Sequence, residues 1–402
     1  MTEMVFDVGV IGGGASGLVA ALTASERGLS TVVFEKNAQI GKKIAASGNG
    51  RGNILNISQP KYYGNHSFAM SVIGEFNARM QIDWWKRNGL ELAVDHEGRA
   101  YPVTGNASTI CDILRIHLKK YKTEIRLSSY CTNIRKTGDF FRIEVSDGTS
   151  VECRNVIIAC GGAAQPKLGG TTDGYKLLEK LGHSITPLTP ALTQIITDKR
   201  SVSGLAGIRI QAGIRIENSN GDVLHAEHGE VLFTEYGISG ICTMQCARFA
   251  LKDLTVKLDL SEAFGESIYE KLTAHRTVFK DEDATMLMTG ILHPKVAYAV
   301  LKQSGIEIRN RKCGVLSDEE LFCIADTVKN YKLNIEGLRG FDYAQVTAGG
   351  AVCDEFDAHT MESRLIENLY ATGEILDVDG DCGGYNLMFA VASGYLAGRS
   401  IK

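Results

Sequence analysis

The chain has 402 residues, 44% of them hydrophobic, enough to bury a substantial core in two or three domains. Its 43 basic and 47 acidic residues leave a formal charge of -4 with no long basic block, which argues against nucleic acid as a partner. No apolar run approaches the roughly 18 residues of a membrane span, and Met1-Thr2-Glu3-Met4 lacks the basic and apolar parts of a leader, so a cytoplasmic protein without a membrane partner is expected. The ten cysteines then read as reduced thiols. Cys242 and Cys246 share one predicted helix face without a CxxC or Cys/His partner and read as small buried hydrophobes.

Apolar residues from Val5 to Ile11 predict a buried strand. Gly12-Gly13-Gly14-Ala15-Ser16-Gly17 follows as a tight turn into a helix over Ala15 to Arg27, with Leu18, Val19, Leu22 and Ala24 inward and Gly28 as the stop. Gly12 permits the turn, Gly14 lets the backbone approach phosphates, and Gly17 lets the helix pack on the strand. Thr31 to Phe34 is a second strand that delivers Glu35 to accept from ribose hydroxyls. Strand, glycine turn, helix and carboxylate together predict a dinucleotide seat, with the pyrophosphate at a helix N-terminus.

The segment Gly41-Lys42-Lys43-Ile44-Ala45-Ala46-Ser47-Gly48-Asn49-Gly50-Arg51-Gly52-Asn53 suits neither a helix nor a strand. Its glycines, cations and amides predict a loop around a phosphorylated ligand, with a plain surface loop as the alternative. As GxKxxxSGxGRxN it resembles a motif of the NAD(P)/FAD-dependent flavoproteins that include bacterial aminoacetone oxidases and bile-acid-inducible flavin reductases. Many relatives carry Cys where this chain has Gly52, so no role for that thiol carries over. The resemblance continues through Gly98-Arg99-Ala100-Tyr101-Pro102, the run from Gly229 to Gly240, Val346-Thr347-Ala348-Gly349-Gly350 and the C-terminal segment, and so spans nearly the whole chain.

Between 66 and 121 two helices are predicted, one burying Val72, Phe76, Met80 and Trp84, the other Ile110, Leu114 and Leu118. His117 on the second reads as a surface or satisfied core residue. Short strands are expected from Glu124 to Leu127 and from Phe140 to Val145, the latter ending at an Asp147-Gly148 turn, with Cys131 between them. The resemblance implies that Cys131 lends its backbone to the adenine end of FAD, though plain packing explains it equally. It also implies that the strand Val156 to Ile158 carries Gly161 and Gly162 close to the cofactor.

From residue 190 the pattern changes. Ile208, Ile210, Ala212, Ile214 and Ile216 alternate, Asn220-Gly221 offers a hairpin turn, and strands follow at Val231 to Phe233 and Val256 to Leu260. The expected architecture is α/β: a discontinuous Rossmann-like FAD-binding domain over 1–189 and 344–402, an inserted antiparallel β domain over 190–260, and a helical cap with a return strand over 261–343. Near the end, Asn368 to Glu374 reads as a strand closing on an acidic residue, and an apolar helix is expected from Leu387 to Ala397. The resemblance lays Gly373 and Glu374 along the ribityl chain. The last helix presents amides able to stabilise negative charge on a reduced flavin. Asp377, Asp379 and Asp381 do not complete a calcium loop, so no metal is expected.

The expected FAD contacts are therefore Gly12, Gly14, Ala15, Ser16, Gly17, Glu35, Lys36, Lys43, Ser47, Gly48, Asn49, Gly50, Cys131, Gly161, Gly162, Gly373, Glu374, Gly384, Tyr385, Asn386 and Leu387. No second GxGxxG heads another nucleotide unit, so NADH or NADPH, where used, binds transiently in the flavin cleft. The resemblance implies an FAD-dependent oxidoreductase acting on a small molecule, as an NAD(P)H-dependent reductase of an activated C=C bond such as an enone. The alternatives are an oxygen-using amine oxidase, an RNA-modifying flavoprotein and a noncatalytic one. Tyr101, Tyr236 and Tyr385 are the candidate proton donors, with packing as the other account of each.

Overall fold

The computed structural model describes residues 5–262 and 267–402. The readings of Met1 to Met4 and of 263–266 within the helical stretch lie outside the described residues. The chain divides into two units, Met1–Pro190 with Ala344–Lys402, and Ala191–Tyr343.

The first unit is built on a seven-stranded sheet. Glu124–Arg126, Thr31–Phe34, Val5–Ile11 and Ser150–Ile158 lie side by side and parallel. The strand Ser150–Ile158 serves two neighbours along its length. Its first half takes the antiparallel hairpin of Phe140–Val145 and Cys131–Thr137, and Val156 to Ile158 pair in parallel with Leu369–Ala371. The late return of the chain thus sets residues 369–374 beside a strand more than 200 positions earlier. Open parallel sheets bind ligands beyond the carboxyl ends of their strands. Here those ends are Gly12, Glu35, Gly161 and Gly373.

The helix Ala15–Glu26 is buried continuously from Ser16 to Ser25, as its alanine-rich, weakly sided sequence requires. It packs against the C-terminal helix Tyr385–Ser400 at backbone distance, where a Cβ on Gly394 would lie 2.3 Å from the Ser16 carbonyl oxygen. That helix begins two residues before the expected start. The single helix expected through Val72 to Trp84 is instead two, His66–Glu75 and Ala78–Arg87. Asn77 caps the second by accepting from the Met80 amide, so the four-residue spacing crosses a break and Met80 is left exposed. Cys131, expected between two strands, itself opens the strand Cys131–Thr137.

The second unit is a closed antiparallel barrel of Ile195–Thr197, Gly237–Ser239, Val223–Thr234, Arg209–Glu217, Thr255–Asp259 and Tyr331–Leu338, in that order around the ring. Closure depends on Tyr331–Leu338 pairing back to Ile195–Thr197. Ala212, Ile214, Ile216, Val231, Phe233, Val256, Leu258 and Leu333 fill the core, as the alternation predicts. Helices Ile268–Val278, Pro294–Ser304 and Asp318–Lys329 share this core, the last started by a capping box between Ser317 and Glu320.

Candidate active site

The first strand ends in a turn with no room for side chains. Gly12 sits at φ +115, and a Cβ on Gly17 would lie 2.0 Å from the Gly12 carbonyl oxygen. Gly14 is different: a Cβ there would meet no atom within 4 Å, and no side chain caps the helix it begins. The first amides of that helix, Ala15, Ser16 and Gly17, thus remain available to an anion. Ser16 Oγ donates to the Thr372 carbonyl at 3.2 Å, tying the turn to Gly373. Thr372 Oγ1 is buried with no hydrogen-bond partner.

Glu35 is placed by the second strand and buried. One carboxylate oxygen accepts from the Gly13 amide at 2.8 Å, the other from the Asn37 amide and side chain at 2.7 and 2.6 Å. A carboxylate has about four lone-pair sites, so capacity for a hydroxyl remains. Lys36 is half-buried at the same strand end. Cys131 lies beyond it, its thiol pushed up to about 12 by burial and therefore inert.

The segment 41–53 differs from the expected loop. It forms a helix, Lys42–Ala46, and then a 3-10 turn, Ser47–Gly50, in which Gly48 and Asn49 take left-handed conformations at φ 56. Ser47 Oγ donates to the Ile44 carbonyl at 2.7 Å, and the Gly50 carbonyl accepts from the Ala107 amide. The helix carries Lys43 to Glu374, Nζ to Oε2 at 3.2 Å. The other oxygen of Glu374 accepts from the Thr347 amide at 2.8 Å and would lie 2.6 Å from a Cβ on Gly162. Lys43 Nζ lies 3.9 Å from a Cβ position on Gly161. Lys43, Gly161, Gly162, Glu374 and the unanticipated Thr347 therefore form one cluster.

A second cluster surrounds the start of the C-terminal helix. Gly384, at φ +104, would place a Cβ 2.6 Å from the Leu55 carbonyl oxygen, and Asn56 donates to the Gly383 carbonyl at 3.0 Å. These contacts join the 47–56 segment to Tyr385. No side chain caps this helix either. Asn386 spends its side chain on the main chain, accepting from the Gly380 amide and donating to the Gly380 carbonyl at 2.8 Å each. Leu387 and Ala15 line one small apolar pocket with Ile44 and Trp85.

The Tyr385 phenol is pushed up by burial and then by the Asp381 carboxylate, with Arg99 opposing. Asp381 is buried and accepts from the Tyr63 hydroxyl at 2.9 Å. Tyr62 packs edge-on to the Tyr385 ring and donates to its carbonyl at 2.9 Å. Tyr101 lies nearby on Arg99–Pro102, its ring 4.3 Å from the Arg51 guanidinium carbon. Tyr236 belongs to the second unit, where Arg339 covers its ring. Arg99 and Thr347 lie in segments that carry the family resemblance, but no local pattern marks their roles, and in sequence Asp381 reads only as part of an incomplete calcium loop.

The residues present fit FAD. An open turn at Gly14, two uncapped helix starts and an orphaned hydroxyl at Thr372 are what a pyrophosphate-bearing group with a polar ring system would occupy. Among the described residues no His, Cys, Asp or Glu group of three or more is arranged to hold a metal, and no helix is long and apolar enough to cross a membrane.

Comparison with known proteins gives the same picture. The HI0933-like protein Rossmann domain matches residues 6–400. The 3-dehydro-bile acid delta(4,6)-reductase of Clostridium scindens is 34% identical over 98% of each chain. The ribosomal RNA dihydrouridine synthase of Escherichia coli is 28% identical over 98% of each. The solved 3-ketosteroid-delta4-(5alpha)-dehydrogenase from Rhodococcus jostii RHA1 aligns with 100% of this chain and 98% of its own at 13% identity and a TM-score of 0.48.

Proposed function

Because the chain belongs to the HI0933-like family and is an FAD-dependent oxidoreductase, we propose that it reduces an activated C=C bond, conjugated to a carbonyl, in a small molecule, with NADH or NADPH as transient electron donor. FAD, when bound and reduced, would supply the hydride. Saturating an enone takes one hydride at the β-carbon and one proton at the α-carbon, so the protein must hold an acid beside the substrate.

The observation that carries this reading is the group around Tyr385. Burial and Asp381 push its phenol up against the opposing pull of Arg99, so that it carries its proton through neutral pH. Tyr62 holds the Tyr385 carbonyl, and Asn386 ties the start of the helix to Gly380. Lys43 and Glu374, the latter also held by the Thr347 amide, and the amides at Ala15 and Ser16 bind and orient the cofactor.

Two relatives of different substrate support the same reaction class. One is named for reducing delta(4,6) bonds of a 3-dehydro-bile acid, the other for making dihydrouridine, and in both chemistries the bond saturated is conjugated to a carbonyl. A second reading, uridine in RNA as the substrate, is favoured by the Escherichia coli relative and opposed by the net charge of -4.

The test is anaerobic. Protein purified with its flavin is mixed with NADH or NADPH, the bleaching of the flavin band is followed, and the reduced enzyme is then offered a 3-oxo-4-ene steroid, a uridine-containing rRNA fragment or oxygen. Rapid bleaching and reoxidation by the enone are expected. Bleaching by a small amine but by neither nucleotide would replace this reading with the amine oxidase, and reoxidation by RNA alone would select the second reading.

A further inference from the structure

Arg99 stands beside Tyr385 with donors to spare. It lies in the same unit, at the start of the strand Arg99–Pro102, where Asn56 pairs opposite it. Its main chain is clamped: the amide donates to the Asp95 carboxylate and the carbonyl accepts from the Asp95 amide, each at 2.9 Å. The side chain is only 22% exposed, and its Nη1 pairs with Glu97. Among the described residues no group accepts a hydrogen bond from its Nε or Nη2.

Those donors border a notch in the chain. Gly383, at φ +128, has no side chain, and a Cβ there would lie 3.4 Å from Asn56 Nδ2, 3.7 Å from Arg99 Nε and 3.9 Å from Tyr385 Cε2. Cε2 is bonded to the ring carbon that bears the hydroxyl. Guanidinium and phenol edge therefore line one space, and Asn56 holds Gly383 by donating to its carbonyl. The next residue, Gly384, begins the uncapped helix at the flavin seat, so the notch adjoins that seat. Charge around it is already balanced. Asp381 is answered by the Tyr63 hydroxyl and by Lys61, whose Nζ is 3.7 Å away, and Arg99 by Glu97. An ion pair of no net charge with donors left over suits a polarised carbonyl, whereas a carboxylate or a phosphate would bring a full charge without a counter-charge.

We infer that Arg99 holds the carbonyl oxygen of the enone and stabilises the negative charge that gathers there during reduction. The inference rests on the proposed enone reduction, with NADH or NADPH as the source of electrons. Hydride arriving at the β-carbon drives the C=C pair toward the carbonyl, and its oxygen becomes that of an enolate. Arg99 donates to this oxygen, an interaction that strengthens as the charge develops. The enolate C=C pair then takes the Tyr385 proton at the α-carbon and the carbonyl re-forms. Solvent returns a proton to the phenolate left behind.

The experiment uses the flavin-loaded, oxidised enzyme and a steroid with a phenolic first ring, whose oxygen mimics that of the enolate, beside the same steroid lacking that hydroxyl. Dissociation constants are read by calorimetry. Reoxidation of the reduced enzyme is followed separately at saturating 3-oxo-4-ene steroid. Wild-type protein is expected to prefer the phenol, and Arg99→Gln to shrink that preference roughly 10- to 100-fold and to slow reoxidation roughly 100- to 1,000-fold, the range for one lost oxyanion donor. Arg99→Lys should recover part of both. Glu97→Gln separates a donor from a structural ion pair: it frees the guanidinium without removing it, so the phenol preference should hold or rise. A loss in Glu97→Gln equal to that in Arg99→Gln, an unchanged preference in Arg99→Gln, or no preference in wild-type protein would overturn the inference. An Arg99-dependent preference in an enzyme that reduces no enone would leave the oxyanion site standing and remove the enone reading, whereas enone turnover indifferent to Arg99→Gln would do the reverse.

Discussion

The two units hold their polar groups in opposite ways. In the first, the charged residues around the strand ends are already satisfied by the protein: Glu35 by Gly13 and Asn37, Glu374 by Lys43 and Thr347, Asp381 by Tyr63. What it leaves open there is backbone, at Gly14 and at two uncapped helix starts. In the second unit the backbone is closed into a barrel, and what remains open among the described residues is side chains, Arg339 and the buried Gln194 oxygen among them. Main-chain amides suit an invariant group such as a pyrophosphate, whereas a single exchangeable side chain suits a ligand that differs among related proteins. The contrast makes distinct predictions for substitutions at the two kinds of place.

The largest effect is expected at the glycine turn, where two neighbouring glycines should separate fold from cofactor. Gly17→Ala drives a Cβ against the Gly12 carbonyl oxygen and should cost about 3 kcal/mol or more, with loss of bound flavin. Gly14→Ala enters open space at φ -88, so it should cost under about 1 kcal/mol and yet weaken flavin binding. Urea unfolding of the flavin-free protein, set beside the flavin-to-protein ratio, checks both. Equal destabilisation by the two would mean that the space at Gly14 is not where the cofactor approaches.

Next in size is Tyr385→Phe. Removing the hydroxyl leaves ring packing against Tyr62 in place, and reoxidation of the reduced enzyme by an enone should slow by about 100-fold or more, while bleaching by NAD(P)H is unaffected. If both half-reactions slow together, the residue positions the site and is not its acid. Smaller again is Lys43→Met. It strips a partly exposed partner from Glu374 and should weaken flavin retention about tenfold, measured as a dissociation constant; Glu374→Gln, which keeps the acceptor for Thr347, should do less.

The same contrast governs what was legible in the sequence. Gly12, Gly14, Gly17 and Glu35 were readable because a tight strand-to-helix turn admits so few residues, and the pattern is local. The alternation over Ile208 to Ile216 was readable for the same reason, since a half-buried strand has period two. The break at Asn77 was missed because Phe76 and Trp84 stay buried in the expected register although the helix ends between them. The short helix at Lys42–Ala46 was hidden by the glycines that bound it, with Gly41 at φ +71 starting it. Barrel closure joins Ile195–Thr197 to Tyr331–Leu338, and Arg339 meets Tyr236 across about 100 residues. No local spacing records a contact made at that separation.

The smallest effect is a pH dependence of stability, and it tests whether a satisfied buried cluster of the first unit is structural. His183 is enclosed, its ring stacked on Phe356, with Nδ1 2.8 Å from Glu355 and Nε2 3.0 Å from Ser363 Oγ. The order Ser, His, Glu resembles a nucleophile with its base, but Ser363 Oγ also accepts from the Leu365 and Ile366 amides, which makes it a turn-forming hydroxyl. Burial lowers the His183 pKa, against the opposing pull of Glu355. The unfolded chain therefore takes up the proton first as the pH falls below about 6.5. The contribution of His183 to stability is complete above that value, is lost as the pH drops toward the folded pKa, and levels off below it. Glu355 is held low by Ser184 and His183 in spite of burial, so its own contribution disappears only in a more acidic window, below about 4.5. Urea midpoints measured from pH 8 to 5 should fall with a slope of at most one proton, and His183→Gln should flatten that slope while leaving flavin reduction intact. A flat wild-type profile would show that the folded protein admits the charged ring, and the cluster would then have to be treated as a titrating site.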